Sequence, residues 1–211
     1  SVFGGYGVGK TTFALQVALA ASEQGKEVVY LYTKPTFPEE RLKAFIGENS
    51  KDLLDHLIFI KTIDFDDLHT ILFNLEFLVL DSLKAQKETL NLIVIDSMTE
   101  LYRLELNQEK KKQNVNINYK LNQNLANLFF INGTYGIEVL VVNELSKKSE
   151  DEGPFKEVQT GGKVMDHWID YVIKVSRSRR VGERIVSLIK HPDQAEMEFK
   201  TSLTDEGFVM D

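Results

Sequence analysis

Near its start the chain carries a glycine-rich segment followed by lysine and threonine, in the order typical of phosphate-binding loops. Glycines let the backbone curl so that successive N–H groups face an anion, and a following helix directs its positive end there. The lysine supplies a charge for the β- and γ-phosphates, and the threonine hydroxyl can bind Mg²⁺. The alternative is a glycine-rich turn with a chance lysine. The candidate nucleotide-binding residues are Gly4, Gly5, Tyr6, Gly7, Val8, Gly9, Lys10, Thr11 and Thr12, with Lys10 also a candidate catalytic residue and Thr11 a candidate metal ligand.

A second candidate metal ligand follows an apolar run. Residues 92–95 are Leu-Ile-Val-Ile, and Asp96 comes next. Near-continuous apolar sequence is typical of a strand covered on both faces, and an acid at its end can hold Mg²⁺, usually through water. Apolar strands often end in aspartate, so the pattern gains its meaning from the phosphate-loop motif before it. The two motifs together predict a site for ATP and magnesium.

Strands and helices alternate along most of the sequence, and strand-like segments close it. Polar segments at 107–117 and 144–162 are predicted loops, and Val181-Gly182 is a hairpin turn signal. This order predicts an α/β fold with a mostly parallel central sheet, flanking helices and antiparallel strands at the C-terminal edge. Ligands bind at the carboxyl ends of such strands, where the phosphate loop falls. The predicted helices are 11–24, 39–47, 65–88, 98–105 and 118–132, and the predicted strands are 27–33, 57–61, 90–95, 137–142, 169–175, 185–189 and 197–203.

Composition narrows the class of protein. The 211 residues are 43% hydrophobic and 27% charged, which fits one globular domain spanning 1–211. Only three residues precede the phosphate loop, so we expect the first strand to be truncated upstream of Ser1. The lack of cysteine excludes disulfides and thiolate metal sites within this sequence. With no membrane-length apolar run and no signal peptide pattern, the expected location is cytoplasmic.

Three segments, in order, resemble the archaeal RadA/RecA recombinase family. They are TKPTFPEERL at 33–42, LIVIDSMTELYR at 92–103 and VQTGGKVMDHW at 158–168. Asp166-His167-Trp168 and Lys190-His191 look most like the short RadB-type paralogues within that family. The resemblance extends from Gly4 to the last strand. It implies a RecA-like P-loop NTPase core and an ATP-binding recombinase paralogue that assists homologous recombination and DNA repair.

The resemblance also implies partners and further site residues. The expected partners are a main RadA-type recombinase and single-stranded DNA, bound weakly, with a homo-oligomer left open and no membrane association. Arg41 matches the position of an arginine near the adenine, although an ordinary helix-surface arginine fits as well. Residues 191–193 match a segment that caps ATP across a subunit boundary.

At two positions the sequence departs from the family. Active recombinases carry a catalytic glutamate after the residue matching Thr33, and here Lys34 stands there. The family's γ-phosphate-sensing glutamine is replaced by Glu144, which when ionised can only accept hydrogen bonds. Three interpretations stay open: a Lys34–Glu144 ion pair, a relocated catalytic carboxylate at Glu144, or unrelated surface residues. The sequence therefore predicts ATP binding with weak or absent hydrolysis.

Candidate DNA-binding lysines fall in the two loops that match the family's DNA-binding loops. A net charge of −7 argues against a broadly basic surface, but a local basic patch is compatible with it. Acids at 150–152 oppose DNA binding by the second loop. Arginines at 177, 179 and 180 form either a basic ridge or an exposed edge strand. The candidate DNA-binding residues are Lys110, Lys111, Lys112, Lys147 and Lys148.

Two other classes of protein remain compatible with the sequence. The first is an active RecA-core ATPase, either a motor or a clock-type (KaiC-like) signalling ATPase. That signalling type carries adjacent glutamates after the strand predicted at 27–33, whereas Glu39-Glu40 comes later. The second is an interaction module whose nucleotide is structural. ATP turnover separates the first class from a recombinase paralogue, and recombinase binding separates the second.

Overall fold

A ten-stranded sheet forms the centre of the molecule in the computed structural model, which describes residues 1–46, 53–84, 90–106, 111–148 and 156–210. Six helices accompany the strands in the described ranges. The strands are β1 (Val2–Gly4), β2 (Glu27–Tyr32), β3 (Leu57–Lys61), β4 (Leu90–Asp96), β5 (Glu138–Lys148), β6 (Lys156–Gln159), β7 (Val172–Arg177), β8 (Glu183–Lys190), β9 (Met197–Thr204) and β10 (Gly207–Val209). The helices are α1 (Lys10–Ser22), α2 (Glu39–Ile46), α3 (Phe65–Lys84), α4 (Met98–Glu105), α5 (Lys111–Tyr135) and α6 (Gly162–Trp168).

The sheet is parallel through its centre and antiparallel at one edge. Its order is β10-β9-β8-β7-β1-β5-β4-β2-β3, with β6 paired to β5. The pairs from β3 to β7 are parallel, and β8, β9 and β10 add antiparallel strands after them. The short β1 is buried between β5 and β7. The predicted α/β architecture is confirmed, including the antiparallel C-terminal edge.

Alternation along the central strands divides the core into two layers. In β4, Ile93 and Ile95 pack in the layer that holds residues of α3, α4 and α5, whereas Leu92 and Val94 pack with α1 and α2. Because both faces of the sheet are covered, side chains on neither face of β4 meet solvent, and residues 92–95 of this strand are all apolar. No helix in the described ranges is long and apolar enough to span a membrane.

Helix α5 corrects the first predicted loop. It begins at Lys111 rather than at residue 118, so 111–117 is helical and 107–110 lies outside the described residues. Its buried residues Ile117, Leu121 and Leu125 recur at helical spacing, but residues 112–116 before them are mostly polar and none of them is buried. The start of this helix therefore carries no pattern of buried residues that could have been recognised from sequence.

Strand β5 corrects the second predicted loop. It continues past residue 142 to Lys148, and residues 145–148 pair antiparallel with β6. The ribbon is formed mainly by backbone pairing between polar residues, so its sequence lacks the apolar pattern of a buried strand. Residues 149–155 lie outside the described part of the chain. Helix α6 and strand β10 are two further elements that the sequence did not predict.

Candidate nucleotide-binding site

The phosphate-loop motif connects the end of β1 to the start of α1. Gly7 and Gly9 have φ values of 69° and 110°, which L side chains rarely adopt. A Cβ on Gly4 would lie 2.2 Å from the carbonyl oxygen of Val175 on β7, so the strand also requires glycine there. Gly9 caps α1 with no side-chain hydrogen bond, which leaves the first amides of the helix available to an anion.

The ammonium group of Lys10 is held inside the loop. Its Nζ donates to the carbonyl oxygens of Gly4 and Gly5, each at 3.0 Å, and lies 3.5 Å from Glu144 Oε2. Lys10 is 7% exposed, and burial lowers its pKa while the Glu144 carboxylate acts in the opposite direction. A bound phosphate would therefore compete with Glu144 for this cation.

Glu144 is placed beside the loop by sheet register and by a buried polar network. It pairs with Gly4 across β1 and β5. Its backbone N–H donates to Thr99 Oγ1 at 3.2 Å and to Asn143 Oδ1 at 2.9 Å. The amide of Asn143 in turn donates to the carbonyl oxygen of Thr160 at 2.8 Å. The backbone at Glu144 is thereby fixed, and its carboxylate faces the lysine of the loop.

Asp96 ends β4 in the interior, where it is 2% exposed. The hydroxyl of Tyr30 donates to its Oδ2 at 3.0 Å, whereas its Oδ1 accepts no hydrogen bond from any described residue. Burial, followed by the charge of Asp96, raises the pKa of Tyr30 well above its usual range. Oδ2 thus accepts a hydrogen bond from Tyr30, and Oδ1 is available to a cation.

Lys34 supplies a positive charge at that oxygen. Its Nζ lies 3.8 Å from Asp96 Oδ1 and donates to Thr11 Oγ1 at 2.6 Å. The Lys34–Glu144 ion pair considered from the sequence was wrong: of the described acids, Asp96 is the one that pairs with Lys34, and Glu144 pairs with Lys10. The two unusual residues therefore contact different parts of the predicted site.

Thr11 and Asp96 together form a donor set suited to Mg²⁺. Both offer oxygen ligands, and Mg²⁺ commonly uses one or two carboxylates with substrate phosphates and water. The buried Oδ1 of Asp96, which accepts no hydrogen bond from the described residues, fits such a role. A denser cluster, of three or more His, Cys, Asp or Glu side chains able to hold a metal, is absent from the described ranges.

A cleft of about 630 Å³ lies over these groups. Arg41 of α2 reaches into it and donates to the hydroxyl of Thr12. Arg41 is exposed, so it is available at the mouth of the cleft. Lys34 lines the cleft together with most of the nucleotide-site residues predicted from the sequence. These predicted residues are Tyr6, Gly7, Gly9, Lys10, Thr11, Thr12, Arg41 and Glu144.

Two arginines of the β7–β8 hairpin also contact the phosphate loop. Arg177 Nη2 donates to the carbonyl oxygen of Tyr6 at 3.3 Å, and Arg184 Nε donates to that of Val8 at 3.0 Å. The edge-strand interpretation of Arg177 was wrong, because β7 lies between β1 and β8. Sequence reasoning missed both contacts, and the missed Tyr30–Asp96 bond likewise joins residues far apart in the chain.

A family model for Rad51 matches residues 1–211. The chain belongs to the Rad51 family. It is 28% identical to "DNA repair and recombination protein RadB" of Methanococcus maripaludis over 195 residues, which is 92% of this chain and 83% of that protein. The proteins of the same name from Methanocaldococcus jannaschii and Methanoculleus marisnigri are 27% and 28% identical, covering 98% of this chain and 90% and 86% of theirs. The RadB-type resemblance within the RecA/RadA family is confirmed.

The candidate DNA-binding lysines of this Rad51-family chain are spread over two elements. Lys112 is exposed in the first turn of α5, and Lys147 is exposed on the ribbon formed by β5 and β6. Lys147 lies opposite Glu157 in that ribbon, which lowers the positive charge there. Lys110 lies outside the described residues, and Lys111 and Lys148 are described only in their backbone.

Proposed function

We propose that this chain is an ATP-binding recombinase paralogue that assists homologous recombination and DNA repair and hydrolyses ATP weakly or not at all. The observation that carries the proposal is a cleft at the carboxyl ends of the parallel strands, lined by Lys10, Thr11 and Lys34. The buried Asp96 lies directly behind Lys34, with its Oδ1 3.8 Å from the lysine Nζ. Membership of the Rad51 family supports nucleotide binding, and the names of the RadB relatives support a role in recombination and repair.

Each residue has a defined task in nucleotide binding. The loop amides and Lys10 would hold the phosphates. Thr11 and Asp96 would hold Mg²⁺ if Lys34, which contacts both, withdraws from them. Magnesium, when bound, neutralises phosphate charge. Arg41, which lines the cleft and donates to Thr12, would contact the base or ribose. As Lys10 turns to the phosphates, Glu144 loses its partner and must find another or accept a water.

Weak hydrolysis follows from what stands at position 34. A lysine is normally protonated at neutral pH and cannot take a proton from the attacking water. Glu144 is a carboxylate near the loop, but it contacts Lys10 and would repel a triphosphate. Loss of a positioned general base typically slows a reaction about 10²–10⁴-fold.

Strand β5 connects the nucleotide site to a candidate DNA-binding segment. Glu144 lies on that strand, and the ribbon that carries Lys147 begins one residue later. Release of Glu144 from Lys10 would therefore alter a strand that leads to a candidate DNA-binding segment. In this proposal ATP acts as a conformational switch for contact with a RadA-type recombinase and, weakly, with single-stranded DNA.

Calorimetry with ATP tests the nucleotide part of the proposal. We expect binding to the intact chain and a loss of about 10- to 100-fold in affinity for Lys10→Ala, because a hydrogen bond to a charged group is removed. Lys26→Ala is the matched control, since Lys26 is exposed at the opposite end of β2. Absence of any adenine-nucleotide binding at millimolar ligand would refute the proposal.

Co-precipitation with a RadA-type recombinase, with and without ATP, tests the partner. Capture that increases with ATP and is lost in Lys10→Ala is the expected result. Capture that is equal for the chain and for Lys10→Ala would instead favour an interaction module with a structural nucleotide.

An active regulatory ATPase is a second candidate, favoured by one observation. The Glu144 carboxylate lies 3.5 Å from Lys10 Nζ, near where the γ-phosphate would be held, so it is placed to act as a relocated base. Turnover comparable with that of an active recombinase, and lost in Glu144→Gln, would establish this alternative.

A further inference from the structure

The ammonium group of Lys34 lies between the two side chains that would bind magnesium. It donates to the hydroxyl of Thr11 at 2.6 Å and lies 3.8 Å from Asp96 Oδ1. That oxygen accepts no hydrogen bond from the described part of the chain, and Tyr30 already donates to the other carboxylate oxygen. A cation of this chain thus stands between the two ligands expected for the metal.

We propose that Lys34 is a built-in cation that replaces the divalent metal in holding a nucleoside triphosphate. The inference rests on the proposed nucleotide site and adds that the triphosphate binds without a divalent metal. It goes beyond the loss of a catalytic glutamate, because it gives the replacing lysine a task of its own.

Electrostatics favours one cation at this position over two. Asp96 is 2% exposed, so charges near it are poorly screened, and a divalent ion beside the ammonium would be repelled. Asp96 from β4 lies against Lys34, and Lys10 from α1 interacts with it electrostatically while pairing with Glu144 of β5. Arg41, Glu100 and Arg103 are the other charged residues that line the same cleft. Either Lys34 withdraws when Mg²⁺ enters, or it remains and Mg²⁺ is unnecessary.

The lysine side chain suits the second outcome. An ammonium group is a compact charge with three donors on a flexible stem. Two of the donors can remain directed at Thr11 and Asp96 while the third donates to a phosphate oxygen. The Lys34 side chain is 37% exposed, so it retains freedom on the cleft side.

Calorimetric titration with ATP, in excess Mg²⁺ and in excess EDTA, tests this directly. For the intact chain we expect dissociation constants within about threefold of each other in the two conditions, since the ammonium compensates the phosphates in both. For Lys34→Met, whose side chain has similar length but no charge, we expect binding in EDTA to weaken about tenfold or more while binding in Mg²⁺ is retained. Lys26→Met, which removes an exposed charge at the far end of β2, should behave as the intact chain.

Three results would overturn the inference. The first is a loss of about tenfold or more in affinity when Mg²⁺ is removed from the intact chain, which would show an ordinary metal requirement. The second is metal-independent binding that persists in Lys34→Met. The third is no binding in either condition, which would refute the proposed nucleotide site as well, whereas the first two leave that site standing. The titration of the intact chain needs no variant, so it decides the question even if Lys34→Met fails to fold.

Discussion

Tyr30 and Asp96 show how a single residue pair prepares the site. The tyrosine hydroxyl fixes one oxygen of a carboxylate that is otherwise almost fully buried. An ionised group in such surroundings is stable only when it is hydrogen-bonded or paired. The bond to Tyr30 therefore orients Asp96, whose other oxygen lies 3.8 Å from the Lys34 ammonium group.

Tyr30→Phe should destabilise the fold. We expect a loss of about 1–3 kcal/mol in the free energy of unfolding, because a buried carboxylate oxygen loses its hydrogen bond. Urea denaturation measures this. Tyr32→Phe is the matched control on the same strand, since the Tyr32 hydroxyl has no hydrogen bond within the described ranges and its ring packs on Phe37. An equal loss in both variants would contradict the assigned role of Tyr30.

The same bond has a pH signature. The pKa of Tyr30 is raised in the fold by burial and by Asp96, so the folded state keeps its proton when the unfolded chain begins to lose it. The stabilisation from Tyr30 is therefore fully present below about pH 10 and decreases above it. The difference in unfolding free energy between the intact chain and Tyr30→Phe should shrink from pH 9 to pH 11. A difference that grows over this range would be inconsistent with a buried, protonated Tyr30.

Glu144→Gln should strengthen ATP binding. Its carboxylate competes with phosphate for Lys10 and adds negative charge to the site, and glutamine can donate to a phosphate oxygen. We expect an increase of about 3- to 10-fold in affinity, which calorimetry measures. Glu138→Gln, at the other end of β5, removes the same charge far from the loop and should have no effect. Weaker ATP binding in Glu144→Gln would mean that Glu144 helps to hold the ligand.

At the level of elements, the C-terminal strands pack closely against the phosphate loop and α1. A Cβ on Gly9 would lie 2.8 Å from Phe208 Cζ of β10. The backbone of Phe208 is tied to α1 by two hydrogen bonds with Gln16, at 2.8 and 3.3 Å. The antiparallel edge therefore reaches the nucleotide site, and the end of the chain contributes to the shape of the loop.

Gly9→Ala should be more costly than Gly25→Ala. Both glycines have positive φ, but a Cβ on Gly25 would meet nothing within 4 Å, whereas one on Gly9 would clash with β10. We expect a loss of about 1 kcal/mol for Gly25→Ala from backbone strain, and of about 2–4 kcal/mol for Gly9→Ala from strain and overpacking. Thermal denaturation compares them. Equal losses would show that β10 does not restrict the loop.

Elements with a strong burial pattern were predictable, and those without one were not. The apolar pattern of covered strands, alternating with amphipathic helices, was enough to predict β2, β3 and β4 and their order along the chain. The ribbon of β5 and β6 is made by backbone pairing between polar residues, which leaves no periodic signal. The contacts of Lys34, Arg177 and Arg184 were also out of reach, since each joins residues that only the folded sheet brings together.

At the scale of the whole molecule, the net charge determines how strongly we expect the protein to bind DNA. The sequence has a net charge of −7, so binding to single-stranded DNA would depend on local lysines rather than on the overall field. The exposed Lys112 and Lys147 lie on separate elements, α5 and the β5–β6 ribbon. We therefore expect weak binding that is strongly reduced by salt.

Salt titration with single-stranded DNA tests the candidate lysines. Replacing residues 110–112 by alanine should lower the slope of log K against log salt by about 2, since each phosphate contact contributes about 0.7. The control replaces Lys26, Lys84 and Lys200, which are exposed and carry the same total charge. An equal change in both triple variants would show that only overall charge matters.

The most direct test of the central claim is ATP turnover by the intact chain and by Lys34→Glu, measured in Mg²⁺ beside nucleotide affinity. If Lys34 has replaced the catalytic base, the intact chain binds ATP but turns it over slowly, and the glutamate raises turnover by about tenfold or more. Rapid turnover by the intact chain, with no gain in Lys34→Glu, would contradict the account.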